Sequence, residues 1–181
     1  MTFERYDASH PMPGELLEQA LRLLETSFPE AERRETPEQR ALMEAGEPSA
    51  WAALDDTGGL AALMTLWPLE GALFLEHFAV DPRLRGAGLG GRMLEALKAH
   101  SGTRLVLEAE PPISDWARRR LDFYARHGMT AEADFPYFQP PYRAGGENVP
   151  LYLLACPAFS SREELERTAR EIHRTVYQIT R

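Results

Sequence analysis

The stretch "FAVDPRLRGAGLGGRMLEAL", residues 78–97, decides how this chain is read. Four glycines, Gly86, Gly88, Gly90 and Gly91, fall within six positions, between an apolar run and a helical pattern. Leu89, Met93, Leu94 and Leu97 recur at helical spacing, which predicts a helix over 89–100. A helix start leaves several N–H groups unpaired and carries partial positive charge. Glycines ahead of it let a phosphate approach the backbone closely. Arg85 adds a fixed cation that forks onto phosphate oxygens. So many glycines weaken the coming helix and bring no benefit to a plain turn. "RGAGLGG" therefore predicts a phosphate or pyrophosphate cradle.

Three machines compete for that cradle. A P-loop needs Gly-x4-Gly-Lys-Ser/Thr, and here Arg92-Met93 follows Gly91 where lysine and a hydroxyl belong. Gly86, Gly88 and Gly91 satisfy the Gly-x-Gly-x-x-Gly of a Rossmann fingerprint, and Glu108 lies about 20 residues on, where a ribose-binding acid belongs. Against a Rossmann unit, "DPRLR" separates Val80 from Gly86, and no clean β-α-β alternation follows. The third fits better. "AVDPRLRGAGLG" resembles the acetyl-CoA-binding motif of the GNAT superfamily of N-acetyltransferases, Arg/Gln-x-x-Gly-x-Gly/Ala, with Arg85, Gly88 and Gly90 at its positions. A second segment, "LDFYARHGM", resembles that family's Phe-Tyr-x-x-x-Gly-Phe, with Met129 in place of the phenylalanine. The likeness is strong over roughly residues 60 to 130. A Rossmann-type dinucleotide binder, or a non-catalytic CoA-binding sensor on the same fold, stands as the alternative.

The rest of the chain suits that reading. "TFERY" is a short strand, "PGELLEQALRLLETSF" a helix, and "PEAERRETPEQRALMEAG" holds a shorter helix ending near Gly46. "SAWAALDD" and "LAALMTLWPL", joined through Thr57-Gly58-Gly59, read as a β-hairpin. "GALFLEHFAV", "TRLVLEAE" and "VPLYLLACPAF" are further strands. "SDWARRRLDFYARHG" is a helix capped at Ser114 or Asp115, and a capping box from Ser161 to Glu164 opens a terminal helix. Trp116 is assigned to the core, and "DFPYFQPPYRAGG", 134–146, to a loop. The fold class is α+β, or mixed α/β. The resemblance implies a central mixed, mostly antiparallel sheet flanked by helices, with an extra C-terminal helix. The organisation expected is one N-acetyltransferase domain over 1–181, its core about 2–158 and its C-terminal helix about 160–178.

Composition narrows the classes. The 181 residues carry 28 acidic and 20 basic side chains, a formal charge of −8, which argues against a duplex nucleic-acid binder. One cysteine allows no intrachain disulfide. The five histidines show no metal-ligand spacing, so no metal is expected. No apolar run approaches 18 residues and the N-terminus has no signal pattern, so no membrane partner is expected and the location expected is cytoplasmic. A homodimer is compatible with all of this.

The resemblance assigns roles. The loop amides of Gly86, Ala87, Gly88, Leu89, Gly90 and Gly91, with Arg85, would hold the pyrophosphate of acetyl-CoA, the cosubstrate. The pantetheine arm would run beside "LEHFAV", and an N–H among Phe78, Ala79 and Val80 would polarise the thioester carbonyl. The acceptor is a primary amine of a small molecule or peptide, attacked directly in a ternary complex, and its ammonium must lose a proton. Strand parity puts Glu76 and His77 on opposite faces. Glu76, between aromatic neighbours, is the first candidate base, with a raised pKa; His77 is the second. Glu108 and Glu110 share one face and would bind a cationic amine or serve as base through water. Arg33 and Arg34 would instead suit an anionic group on the acceptor. Tyr124 is the candidate acid for the leaving thiolate, since a phenol of pKa near 10 stays protonated at neutral pH.

Overall fold

The apolar runs on either side of Asp55 pair as a hairpin in the computed structural model, which describes residues 1–179; positions 180 and 181 of the expected domain lie outside the described residues. β2 (Ser49–Leu54) and β3 (Leu60–Leu69) are antiparallel, in register from Ser49↔Leu66 to Ala53↔Ala62, with an irregularity before Leu54. The Asp55 carboxylate closes the turn by accepting from the N–H groups of Thr57 (2.8 Å) and Gly59 (3.0 Å). β1 (Thr2–Tyr6) pairs with β2, and only Tyr6 of it is buried, as befits an edge. β4 (Ala72–Val80) follows β3, and α3 (Leu89–Ser101) follows a short 3-10 turn at Pro82–Leu84. β5 (Arg104–Ala109) and α4 (Asp115–Arg126) come next, then β6 (Thr130–Ala131), β7 (Tyr137–Gln139), β8 (Val149–Cys156) and α5 (Arg162–Thr175).

The chain divides into two compact units, 1–67 with 75–97, and 68–74 with the residues from 98 onward. In the first, the strand order is β1-β2-β3-β4. α1 (Gly14–Ser27) brings Leu16, Leu17, Ala20, Leu21, Leu23 and Leu24 to one face, where they join Tyr6, Leu54, Leu60 and Leu63 in a shared core. Each of the large side chains so buried contributes about 1.5–3 kcal/mol relative to exposure. α2 (Thr36–Ala45) adds Met43 to that core and stops at Gly46.

In the second unit, β8 pairs antiparallel with β5, β6 and β7. Every strand pair with an assigned register in the two units is antiparallel. The Ser114 hydroxyl caps α4 by accepting from Ala117 N–H at 3.0 Å. Ser161 caps α5 in the same way, from Glu164 N–H at 3.1 Å. The Glu164 carboxylate turns to the N–H and hydroxyl of Ser160 rather than to Ser161, so the capping box is shifted by one residue on that side. α5 ends at Thr175 and is tied to its unit by Arg104–Glu164, by Glu171 accepting from Glu70 N–H (2.8 Å), and by His173 Nε2 donating to Phe138 O (3.0 Å).

Two expectations are corrected. Trp116 is 53% exposed, not core; the Arg120 guanidinium lies 3.6 Å from its ring centroid, and the cation holds the indole at the surface. The segment 134–146 is not all loop, since Tyr137–Gln139 forms β7 against β8. Cys156 is half-buried at the end of β8.

Candidate functional site

Asp81 N–H donates to Ala61 O at 2.9 Å and ends the strand run of β4. The Asp81 carboxylate then takes Arg83 through its backbone N–H (2.9 Å) and its guanidinium (2.6 Å), which folds the chain over at Pro82. Gly86 and Gly88 follow with φ of 82° and 75°, the left-handed region that side chains disfavour. Neither would meet backbone if it carried a Cβ, so the surface above them is open.

The first backbone bond of α3 runs from Arg92 N–H to Gly88 O at 3.1 Å. Among the described residues, the N–H groups of Gly86, Ala87, Gly88, Leu89, Gly90 and Gly91 donate to no acceptor. Unpaired donors are ordinary in a first helical turn, but here the run extends through the preceding loop. No acidic residue stands in the first turn of α3. Arg85 lays its Nε on Val80 O at 3.1 Å, which keeps the guanidinium beside the end of β4. A run of donors, a helix N-terminus and an arginine together fit an anion with several oxygens.

Glu76 and His77 are not the exposed polar pair that a half-buried strand would carry. Their side chains are 1% and 2% exposed. Alternation would send them to opposite faces, yet both reach Thr65 Oγ1, Glu76 Oε2 at 3.5 Å and His77 Nδ1 at 3.2 Å. Glu76 is ion-paired with Arg34 and accepts from Trp67 Nε1 at 2.8 Å. Arg34 is itself buried, with its guanidinium 5.5 Å from the Trp67 ring centroid. Burial pushes the Glu76 carboxyl up, but Arg34, His77 and Trp67 together outweigh it and hold the group well below the usual carboxylate range. The expected raised pKa is therefore overturned, and a carboxylate so stabilised is a weak base. His77 Nε2 donates to Glu32 O at 3.2 Å, since a carbonyl only accepts, and Phe28 meets the ring edge-on at 4.7 Å. Both ring nitrogens thus have neighbours within the fold. The pair fastens the segment between α1 and α2 to β4.

In the second unit, Glu108 accepts from the Tyr137 hydroxyl and from the Tyr177 hydroxyl at 2.6 Å. Glu110 is 3.6 Å from Arg120. Tyr124 is buried on α4 against Phe123, and among the described residues its hydroxyl has no hydrogen-bond partner. Burial raises its pKa, so the phenol stays protonated at neutral pH. Met129, at the position of the expected phenylalanine, is buried. Among the described residues, no group of three or more His, Cys, Asp and Glu side chains is arranged to hold a metal ion. No described helix is long and apolar enough to cross a membrane.

Sequence reasoning missed the partners of Glu76. The sequence carries only the need: a glutamate inside an apolar strand calls for a cation, and nothing local says which one, 42 positions away, answers it. Arg34 is now committed to Glu76 and, at 3.7 Å, to Glu38, which leaves Arg33 alone of the Arg33-Arg34 pair for an anionic acceptor group.

Residues 17–129 match the family model described as the acetyltransferase (GNAT) family. A search of curated proteins found no match. Among solved structures, a protein from Bacteroides thetaiotaomicron assigned to the GNAT family of acetyltransferases is 31% identical, with a TM-score of 0.86, over 99% of this chain and 100% of that one. An aminoglycoside 6'-N-acetyltransferase complexed with coenzyme A is 20% identical, with a TM-score of 0.60, over 86% and 96% of the two chains. The ribosomal-protein-S18-alanine N-acetyltransferase from Escherichia coli is 15% identical, with a TM-score of 0.55, over 85% and 92%. The last two likenesses are of fold.

Proposed function

Because the chain belongs to the GNAT family of acetyltransferases, and so is an acyltransferase, we propose that it moves an acetyl group from acetyl-CoA to a primary amine by direct attack in a ternary complex. The acceptor is a small molecule or peptide. The observation that carries this reading is the run of unpaired amides from Gly86 to Gly91 beside Arg85. The diphosphate of CoA offers the oxygens such a run needs. A relative in fold is known in complex with coenzyme A.

The remaining roles follow from the family motifs and from each residue's surroundings. Phe78, Ala79 and Val80, just before the loop, supply the N–H that polarises the thioester carbonyl. The amine nitrogen forms the new C–N bond as the C–S bond breaks. Tyr124, in the "FY" segment, is protonated at neutral pH and gives its proton to the departing sulfur. Solvent water takes one proton from the acceptor ammonium before attack, and the second, shed by the nitrogen as the amide forms, returns through solvent to the Tyr124 phenolate. Glu76 is too weak a base for that step, and His77 is committed within the fold. Glu108 and Glu110 attract the cationic acceptor.

Two measurements test the proposal. Acetyl-CoA at about a hundredfold excess over Kd should add about 2.7 kcal/mol of stability. That corresponds to a rise of about 5–10 °C in the unfolding midpoint for a chain of this size. NADH should leave the midpoint where it is; the reverse pattern restores the dinucleotide-binding reading. Release of free CoA thiol across a panel of amines separates an enzyme from an inert CoA sensor.

A further inference from the structure

A second arginine at the loop has no place in the family motif. Arg92 stands in the first turn of α3, where a cation faces the positive end of the helix dipole and is disfavoured. Among the described residues no carboxylate pairs with it. Its Nη1 instead reaches back five residues to donate to Ala87 O at 3.2 Å. Helical side chains lean toward the N-terminus, which brings the guanidinium onto the loop. It comes to rest 3.8 Å from where a Cβ on Gly88 would stand. The side chain is exposed, so packing does not hold it there.

An unpaired cation at the wrong end of a helix, tethered over a run of free amides, is stabilised once an anion arrives. The function proposed above gives the amides the diphosphate. Acetyl-CoA carries a further phosphomonoester, with about −1.5 to −2 charges near pH 7. Building on the function proposed above, we infer that Arg92 is a cofactor-binding residue whose guanidinium pairs directly with a phosphate of CoA. One N–H is spent on Ala87 O, and the other donors remain for phosphate oxygens.

Isothermal titration of the full chain with CoA, 3'-dephospho-CoA and pantetheine, at several salt concentrations, tests this. Arg92→Ala should weaken CoA binding by about tenfold to a hundredfold, the weight of hydrogen bonds between charged groups. Arg92→Lys, which keeps the charge without the fork, should recover part of the loss. The salt dependence of binding should become shallower in Arg92→Ala, because one ionic contact is gone. An equal loss with dephospho-CoA assigns the diphosphate; a loss confined to CoA assigns the 3'-phosphate; pantetheine should bind both proteins alike. Unchanged CoA affinity in Arg92→Ala overturns the inference, and so does a loss with unaltered salt dependence, which would mark a tether that only stiffens the loop. If the wild-type chain itself gives no heat with CoA, the proposed function falls and this inference with it.

Discussion

Severing the Arg34–Glu76 pair should be among the most damaging single changes available to this chain. Both side chains are at most 2% exposed, so Glu76→Gln leaves a guanidinium in a dry site without its close carboxylate, with Glu38 half exposed at 3.7 Å. Breaking a buried pair from one side costs about 3–5 kcal/mol. For a chain of this size that is a fall of about 6–20 °C in the unfolding midpoint. Arg34→Met should cost a similar amount. The double variant Arg34→Met/Glu76→Leu removes both charges and should be less damaging than the sum of the singles, by about 2 kcal/mol or more of coupling. Recovery will be incomplete, because Trp67 Nε1 loses the acceptor it has at 2.8 Å. Urea unfolding of the four proteins measures the cycle. Additive losses, or a Glu76→Gln variant within about 0.5 kcal/mol of wild type, the range of ordinary surface changes, would refute the claim that these two charges hold each other.

Four further outcomes are expected. The folded-state pKa of Glu76 is depressed, so its contribution is complete above the unfolded value of about 4.3 and is lost as pH falls through the folded one. The stability gap between wild type and Glu76→Gln should therefore be flat from about pH 7 to 5 and narrow only in stronger acid; a gap that closes near neutrality contradicts the assignment. Tyr124→Phe should lower kcat by about a hundredfold while CoA affinity stays within about twofold, as loss of a general acid does; intact turnover removes the acid role. Gly88→Ala has room for its methyl but must hold φ near 75°, at a cost of about 1–2 kcal/mol to the loop, read as roughly tenfold weaker CoA binding in titration. Tyr177→Phe removes one hydrogen bond from Glu108 and should change KM for the amine more than KM for acetyl-CoA; equal changes in both would show Glu108 to be remote from the acceptor.

Local signals made most of the fold legible. The 3.6-residue recurrence of leucines in α1 and α3, the hydroxyl caps at Ser114 and Ser161, and the Thr57-Gly58-Gly59 turn each act within a few residues. The glycine loop was legible for the same reason, since helix start and φ demands are written side by side. Chemistry set by distant partners was not. Arg34 and Glu76 lie 42 positions apart, and no periodicity announces that an arginine will neutralise a strand glutamate. The same holds for Glu108, whose tyrosines come from 29 and 69 positions away. Trp116 was misassigned because aromatic character suggested burial, whereas Arg120, one helical turn on, makes a face for it at the surface.

The amides themselves offer the direct test of the phosphate grip. In an amide proton–nitrogen NMR titration with CoA, the cross-peaks of Gly86, Gly88, Gly90 and Gly91 should move downfield at saturation, as N–H groups do on acquiring anionic acceptors, and should exchange more slowly with solvent. Cross-peaks for these glycines that stay in place while CoA saturates the protein would put the diphosphate elsewhere.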